Sequence, residues 1–282
     1  MSDQLARGAV LLLLGELCLA IMAALIKHLS GQVGHETMVF SRNLFGLLTL
    51  LPILLRYGAK DLRTQQFPLH LLRTVSGLTA MYGYFYVIAH MPLAEAVLVK
   101  LSAPFFLPLI AFFWLRERIS HITIWSIMIG FVGVVFVLRP GADNFQPVAL
   151  LGVGAAVLAS FAKVCIRRMA PTEPSHRIVF YFGLLATLIS AVPAFWNWQP
   201  PDQAITWWWL AAIGLAGTCG QLLMTQAYLV AKPGQVGPYT YSSVVYASIM
   251  GWIFWQEALI WTTVIGCTLI IGAGILNMKK AH

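Results

Sequence analysis

Four ionisable residues lie in apolar surroundings and set the chemical question. Glu16 interrupts "LLLLGELCLAIMAALIKHLS" at 11–30, Arg42 follows "MVFS", and Lys100 and Lys163 fall within "AEAVLVKLSAPFF" and "AVLASFAKVC". A charge at bilayer depth is costly and faces a protein interior or a water-filled cavity rather than lipid. A carboxyl at Glu16 could exchange a proton. Arg42, Lys100 and Lys163 could form a partly positive cavity able to hold a carboxylate or another anionic group. Pairing of Glu16 with Lys163 or Arg42, pairing of the cations with Glu16 or Glu95, and snorkelling are the plainer readings. Tyr82 and Tyr86 share one helical face, and Tyr239, Tyr241 and Tyr246 gather in a later segment. Such rings could stack on a planar substrate, or simply pack. Pro104 and Pro238 free carbonyls in mid-segment, where a kink beside a cavity is tolerated. Glu117 and Glu257 sit at helix ends, where they could bind helix termini or gate.

The elements that must position these residues follow from composition. Hydrophobic residues make up 59% of the 282 and charged residues 10%; soluble chains run at roughly 45 to 50% and 25%. Mean hydropathy is +0.79. The chain therefore reads as an all-α integral membrane protein. Apolar runs near 7–29, 35–55, 68–89, 92–115, 121–139, 147–166, 176–196, 204–229, 234–256 and 259–277 predict ten transmembrane helices. With the N-terminus inside, thirteen lysines and arginines, Arg73 among them, fall on the inner side and only Lys27 and Arg139 on the outer. That bias places both termini in the cytoplasm. The net charge of +8 thus reports topology, and no nucleic-acid partner is expected. Trp196, Trp198, Trp207, Trp208 and Trp209 read as an interfacial belt on the outer side.

Other chemistries find little support. Cys18, Cys165, Cys219 and Cys267 are scattered singly, and the histidines show no zinc spacing. "GVG" at 152–154 lacks a preceding strand and a further glycine, so it is no dinucleotide fingerprint. No metal, cofactor or catalytic residue is expected, and an intramembrane enzyme is only a minor alternative. A channel is disfavoured by the absence of a repeated polar filter.

An internal repeat is visible. "AEAVLVKLSAPFFLPLIAFFWLRE" at 94–117 lies against "GQVGPYTYSSVVYASIMGWIFWQE" at 234–257, and the segments after them match in hydropathy and glycine placement. The chain divides into halves at 1–143 and 144–282. Ten helices in two halves give two inverted five-helix repeats, an arrangement suited to alternating access.

"FSRNLFGLL" at 40–48, "LRTVSGLTAMYGYFYVIAHMPLAEAVLVKLSAPFFLPLIAFFWLRERIS" at 72–120 and "GWIFWQEALIWTTVIGCTLIIGAGIL" at 251–276 resemble the EamA-type branch of the drug/metabolite transporter superfamily. The resemblance covers essentially the whole chain, with Arg42, Pro104, Glu117 and Glu257 at matching features. It implies two EamA-like repeats in the cell inner membrane, surrounded by lipid, moving a small-molecule metabolite as a monomer and usually outward. Aromatic amino acid exporters are the relatives whose substrate suits the cations and tyrosines, with S-adenosylmethionine or another nucleoside-like metabolite as the alternative. "GELCLAIMAALIK" also resembles helix one of small multidrug resistance proteins, in which a glutamate exchanges protons against substrate. That resemblance makes Glu16 the coupling candidate, with protons as a possible co-substrate, while Ala155 or Ala156 stands at the equivalent place in the second half.

Overall fold

A membrane interior offers no water to backbone N–H and C=O groups, so a chain this apolar satisfies them within helices. The computed structural model describes residues 2–57, 63–116, 121–138, 147–169, 171–198, 201, 203–230, 237–257 and 260–278, and every element among them is helical. In order these are α1 Ser2–Leu29, α2 His35–Tyr57, α3 Phe67–His90, α4 Leu93–Lys100, α5 Ala103–Leu115 and α6 His121–Leu138. Then follow α7 Val148–Met169, α8 Ser175–Trp196, α9 Ala204–Val230, a 3-10 turn Gly237–Tyr241, α10 Ser242–Trp255 and α11 Trp261–Met278.

The packing is reciprocal. α1 lies against α9 and α3 against α7; α2 meets α8, α4 meets α10 and α6 meets α11. α5 packs on α7 as α10 packs on α1. Elements from before and after residue 143 therefore interleave, and the central space is walled by both. The backbone carries the same echo. Among the described residues the only non-glycine positions with positive φ are Arg116 (56°) and Gln256 (55°), which occupy the same place in the aligned segments 94–117 and 234–257. Each ends its helix in the left-handed conformation, and its N–H returns to a carbonyl of the last turn.

The expectation of ten transmembrane helices in two inverted five-helix repeats is corrected here. Among the described residues four stretches are long and apolar enough to cross a membrane: Ala6–Leu29, Leu93–Trp114, Val148–Ile166 and His176–Trp196. His70 and Arg73 dilute α3, and the shorter apolar stretches Ile127–Phe136 and Trp261–Ala273 lie within α6 and α11. The segments expected as continuous helices over 92–115 and 234–256 are each broken, at Leu101–Ser102 and at the 3-10 turn. Apolar periodicity cannot register such breaks, because the residues flanking them are as hydrophobic as those of an intact helix.

The α1–α9 seam fixes Glu16. A Cβ on Gly220 would lie 2.8 Å from Leu19 Cγ and 3.0 Å from the Gly15 carbonyl oxygen, so the two backbones touch beside the carboxylate. We expect Gly220→Leu to force the helices apart and to lower unfolding stability by roughly 1–3 kcal/mol. Gly154→Leu, where a Cβ meets nothing within 4 Å, is the matched control. Thermal unfolding of the two purified variants checks this, and equal midpoints would remove the seam from the account.

Candidate functional site

The central space has two lobes, of about 260 Å³ and about 170 Å³, which share Arg42, Gly77, Met81, Ala159 and Gln221 as wall. Four helices, α2, α3, α7 and α9, thus supply the common boundary. The larger lobe adds Arg73 and Lys163, and the smaller adds Lys100 and Tyr84. Among the described residues neither wall includes an aspartate or glutamate. Glu16 is 5% exposed on α1 and within electrostatic reach of Lys100 and Lys163. The Lys163 side chain has free surface, and that surface belongs to the larger lobe.

Each cation is held by its local structure. Arg42 Nη1 donates to Asn43 Oδ1 at 3.1 Å. Lys100 occupies the last turn of α4, where the negative end of the helix dipole favours a cation, and its ammonium lies 5.1 Å from the centre of the Tyr84 ring. The turn after Lys100 is secured from both sides. The Ser102 hydroxyl donates to the Val99 carbonyl at 2.6 Å, and Ser160 of α7 has its hydroxyl 2.7 Å from the Ala103 carbonyl oxygen. Pro104 stands in the first turn of α5 just beyond this break.

Arg42, Lys100 and Lys163, singled out from sequence, come together around one space. The tyrosines do not. Tyr82 and Tyr86 turn towards His35, whose ring nitrogen lies 3.0 Å from the Tyr82 carbonyl oxygen, and Tyr86 is 41% exposed with its ring stacked on His90. Tyr239 and Tyr241 belong to the 3-10 turn, together with Pro238, and Tyr246 to α10; none lines either lobe. Glu95 accepts from the Thr263 hydroxyl at 2.8 Å. Glu117 lies outside the described residues.

Arg73, Tyr84 and Gln221 are the wall residues that sequence reasoning missed. Arg73, counted among inner-side charges, is the seventh residue of α3 and faces the cavity. The signal was present, because Arg73, Gly77 and Met81 recur every four residues and so share one face.

A carboxylate joins the helices at each end of the space. Glu257 accepts from the Leu93 backbone N–H at 2.7 Å, at the first residue of α4, and forms an ion pair with Lys27, which also donates to the Met91 carbonyl at 2.7 Å. Gly251 lies beneath it, where a Cβ would come within 2.6 Å of Glu257 Oε2 and displace the carboxylate. At the opposite end Glu173 accepts from the Thr64 hydroxyl at 2.7 Å and from Arg177 Nη1 at 3.0 Å, with His70 Nε2 at 3.6 Å. Burial opposes charge on Glu173, but the two hydrogen bonds and the charges of Arg177 and His70 outweigh it and hold the carboxyl below its ordinary value of 4.5. α3 runs from one joint to the other.

A cation-walled space between interleaved helices, with ionic joints tying those helices together, is the constitution of a membrane protein that binds and passes a small solute. The chain belongs to the EamA-like transporter family, whose family model matches residues 6–139 and again 146–278; it is a multi-pass membrane transporter and not an enzyme. It is 33% identical to the pseudopaline exporter of Pseudomonas aeruginosa, over 97% of this chain and 96% of that one. It is 27% identical to a riboflavin transporter of Vibrio cholerae serotype O1, over 88% and 84% respectively. An S-adenosylmethionine uptake transporter of Rickettsia bellii is 28% identical, over 90% and 88%. A crystal structure sharing 22% identity superposes with a TM-score of 0.64, covering 98% of this chain and 96% of that chain, which speaks to the fold alone.

Both joints are open to test. In unfolding measurements the K27M and E257Q changes should be non-additive by at least about 1 kcal/mol, because either one alone leaves the other partner stranded in a half-buried site. Strict additivity would reduce the pair to a surface contact. The Glu173 cluster contributes stability in full above the unfolded value of 4.5 and loses it as pH falls through the lower folded value. The wild type should therefore lose thermal stability more steeply than E173Q as pH falls below 4.5, and parallel pH profiles would refute the assignment.

Proposed function

We propose that this chain is a transporter of the bacterial cytoplasmic membrane, acting as a monomer with both termini in the cytoplasm, and that it exports a small metabolite bearing an anionic group. The carrying observation is the cavity wall, with Arg42, Arg73, Lys100 and Lys163 and, among the described residues, no carboxylate. Export suits such a cargo. An inside-negative potential contributes about 2.3 kcal/mol per elementary charge per 100 mV towards moving an anion outward. The pseudopaline exporter, at 33% identity, supports the same direction.

Orientation has its own support. The end that carries Arg63, Arg168 and Arg177 is also where α1 begins, while Trp196, Trp208 and the Lys27 joint lie at the other end. Basic residues favour the cytoplasm and tryptophans an interface. Aromatic amino acids lose much of their appeal as cargo with Tyr82 and Tyr86 turned away from the space. The four cations weigh equally against S-adenosylmethionine, whose sulfonium is itself positive.

Glu16 is then the internal counter-charge of Lys100 and Lys163. Protonation releases both lysines to the cargo, so pH enters transport through this carboxyl. In proteoliposomes loaded with a panel of labelled carboxylate and phosphate metabolites, an imposed potential should drive efflux of at least one of them. The E16Q variant should retain that efflux but lose its pH dependence. Movement of none of the panel would overturn the anionic cargo, and an unchanged pH profile in E16Q would take the coupling role from Glu16.

A further inference from the structure

Arg42 and Arg73 hold donors that no described residue answers. Arg42 Nε and Arg73 Nε and Nη1 are buried without a hydrogen-bond partner, although both side chains line the larger lobe. The two guanidiniums are close enough to act on each other's charge, and among the described residues no carboxylate in that wall offsets them. Arg73 rests on the face of Phe182, its guanidinium carbon 4.0 Å from the ring centre, which fixes the plane of its fork. The Asn43 contact does the same for Arg42. Two oriented guanidiniums with unused N–H groups are suited to the oxygens of a carboxylate or phosphate, which an arginine fork grips in bidentate fashion.

We propose that Arg42 and Arg73 form an oxyanion subsite and that the exported metabolite carries two anionic groups, one seated between these guanidiniums and the other reaching Lys100 and Lys163. This rests on the reading of the chain as an exporter of anionic metabolites. The second group follows from the geometry of charge. Arg42 belongs to both lobes, so a molecule seated on it in the larger lobe extends into the smaller one beside Lys100. Glu16 can offset only one of the four cations, and a monoanion would leave two uncompensated in an enclosed space. A dianion leaves only one. Asn43, Thr218 and Gln221 supply the neutral polar contacts around it.

An oxyanion could also arrive as a lipid headgroup, and the test separates the two sources. The full-length protein in a zwitterionic detergent is titrated with dicarboxylates of two to six carbons, phosphoglycerate and inorganic phosphate, with butyrate and putrescine as monoanion and cation controls; binding is read from tryptophan fluorescence. At least one dianion should bind ten-fold or more tightly than butyrate, and putrescine should not bind. R73Q should weaken the preferred dianion at least ten-fold while changing butyrate less than three-fold, and R73K, which keeps the charge but loses the fork, should fall between. If R73Q does not fold, R73K alone decides: its dianion-to-butyrate preference must drop at least three-fold. Equal affinity for butyrate and every dianion, or an unchanged preference in R73K, would overturn the two-group cargo. Transport of monoanions in proteoliposomes would meanwhile leave the exporter reading standing. Displacement of the bound dianion by phosphatidylglycerol but not by phosphatidylcholine would assign the arginines to lipid and overturn the proposal.

Discussion

A cation taken out of water must be answered by dipoles, by an opposite charge or by a ligand, and this requirement organises the centre of the protein. Lys100 is answered in part by the carbonyl end of a short helix and the face of Tyr84. Lys163 faces open space and is balanced at a distance by Glu16. Arg42 has one amide contact, and Arg73 has an aromatic face. The unevenness of these answers distinguishes cations held for structure from cations held for cargo.

The same rule separates the centre from the ends. Glu257 and Glu173 are each surrounded by donors from several elements, so their charges are satisfied within the protein. They hold helices together. The central cations are numerous where the carboxylates are few, and they hold nothing together on their own. A molecule with ionic joints at its ends and unpaired charge in its middle has placed its fixed contacts and its replaceable ones in different regions.

Much of this was legible in the sequence, and the limits are instructive. Glu16, Arg42, Lys100 and Lys163 stood out because a charge in an apolar run has few explanations, and the repeat at 94–117 and 234–257 showed in residue types alone. Arg73 was hidden by its position near a segment boundary, where a basic residue is ordinarily a topology signal. The tyrosines misled because helical spacing says which residues share a face and not which neighbour that face meets. The break after Lys100 escaped for a different reason: it is secured by the hydrogen bond of Ser160 to Ala103, made by a helix distant in sequence. The number of helices able to span a membrane was overestimated by the same averaging over apolar windows.

α3 begins beside the Glu173 joint, through His70, and ends at the Glu257 joint, through Met91. Its 24 residues form a rod of about 36 Å. Conformers a few kcal/mol above the ground state are populated at about 0.1–10%, so two independent openings would coincide at roughly one part in 10² to 10⁶. A stiff rod anchored in both joints lowers this further, since tilting it away from one anchor presses it onto the other. A displacement of α3 at the Glu173 joint is therefore carried to the Glu257 joint, so the two ends of the molecule are mechanically linked through a single helix.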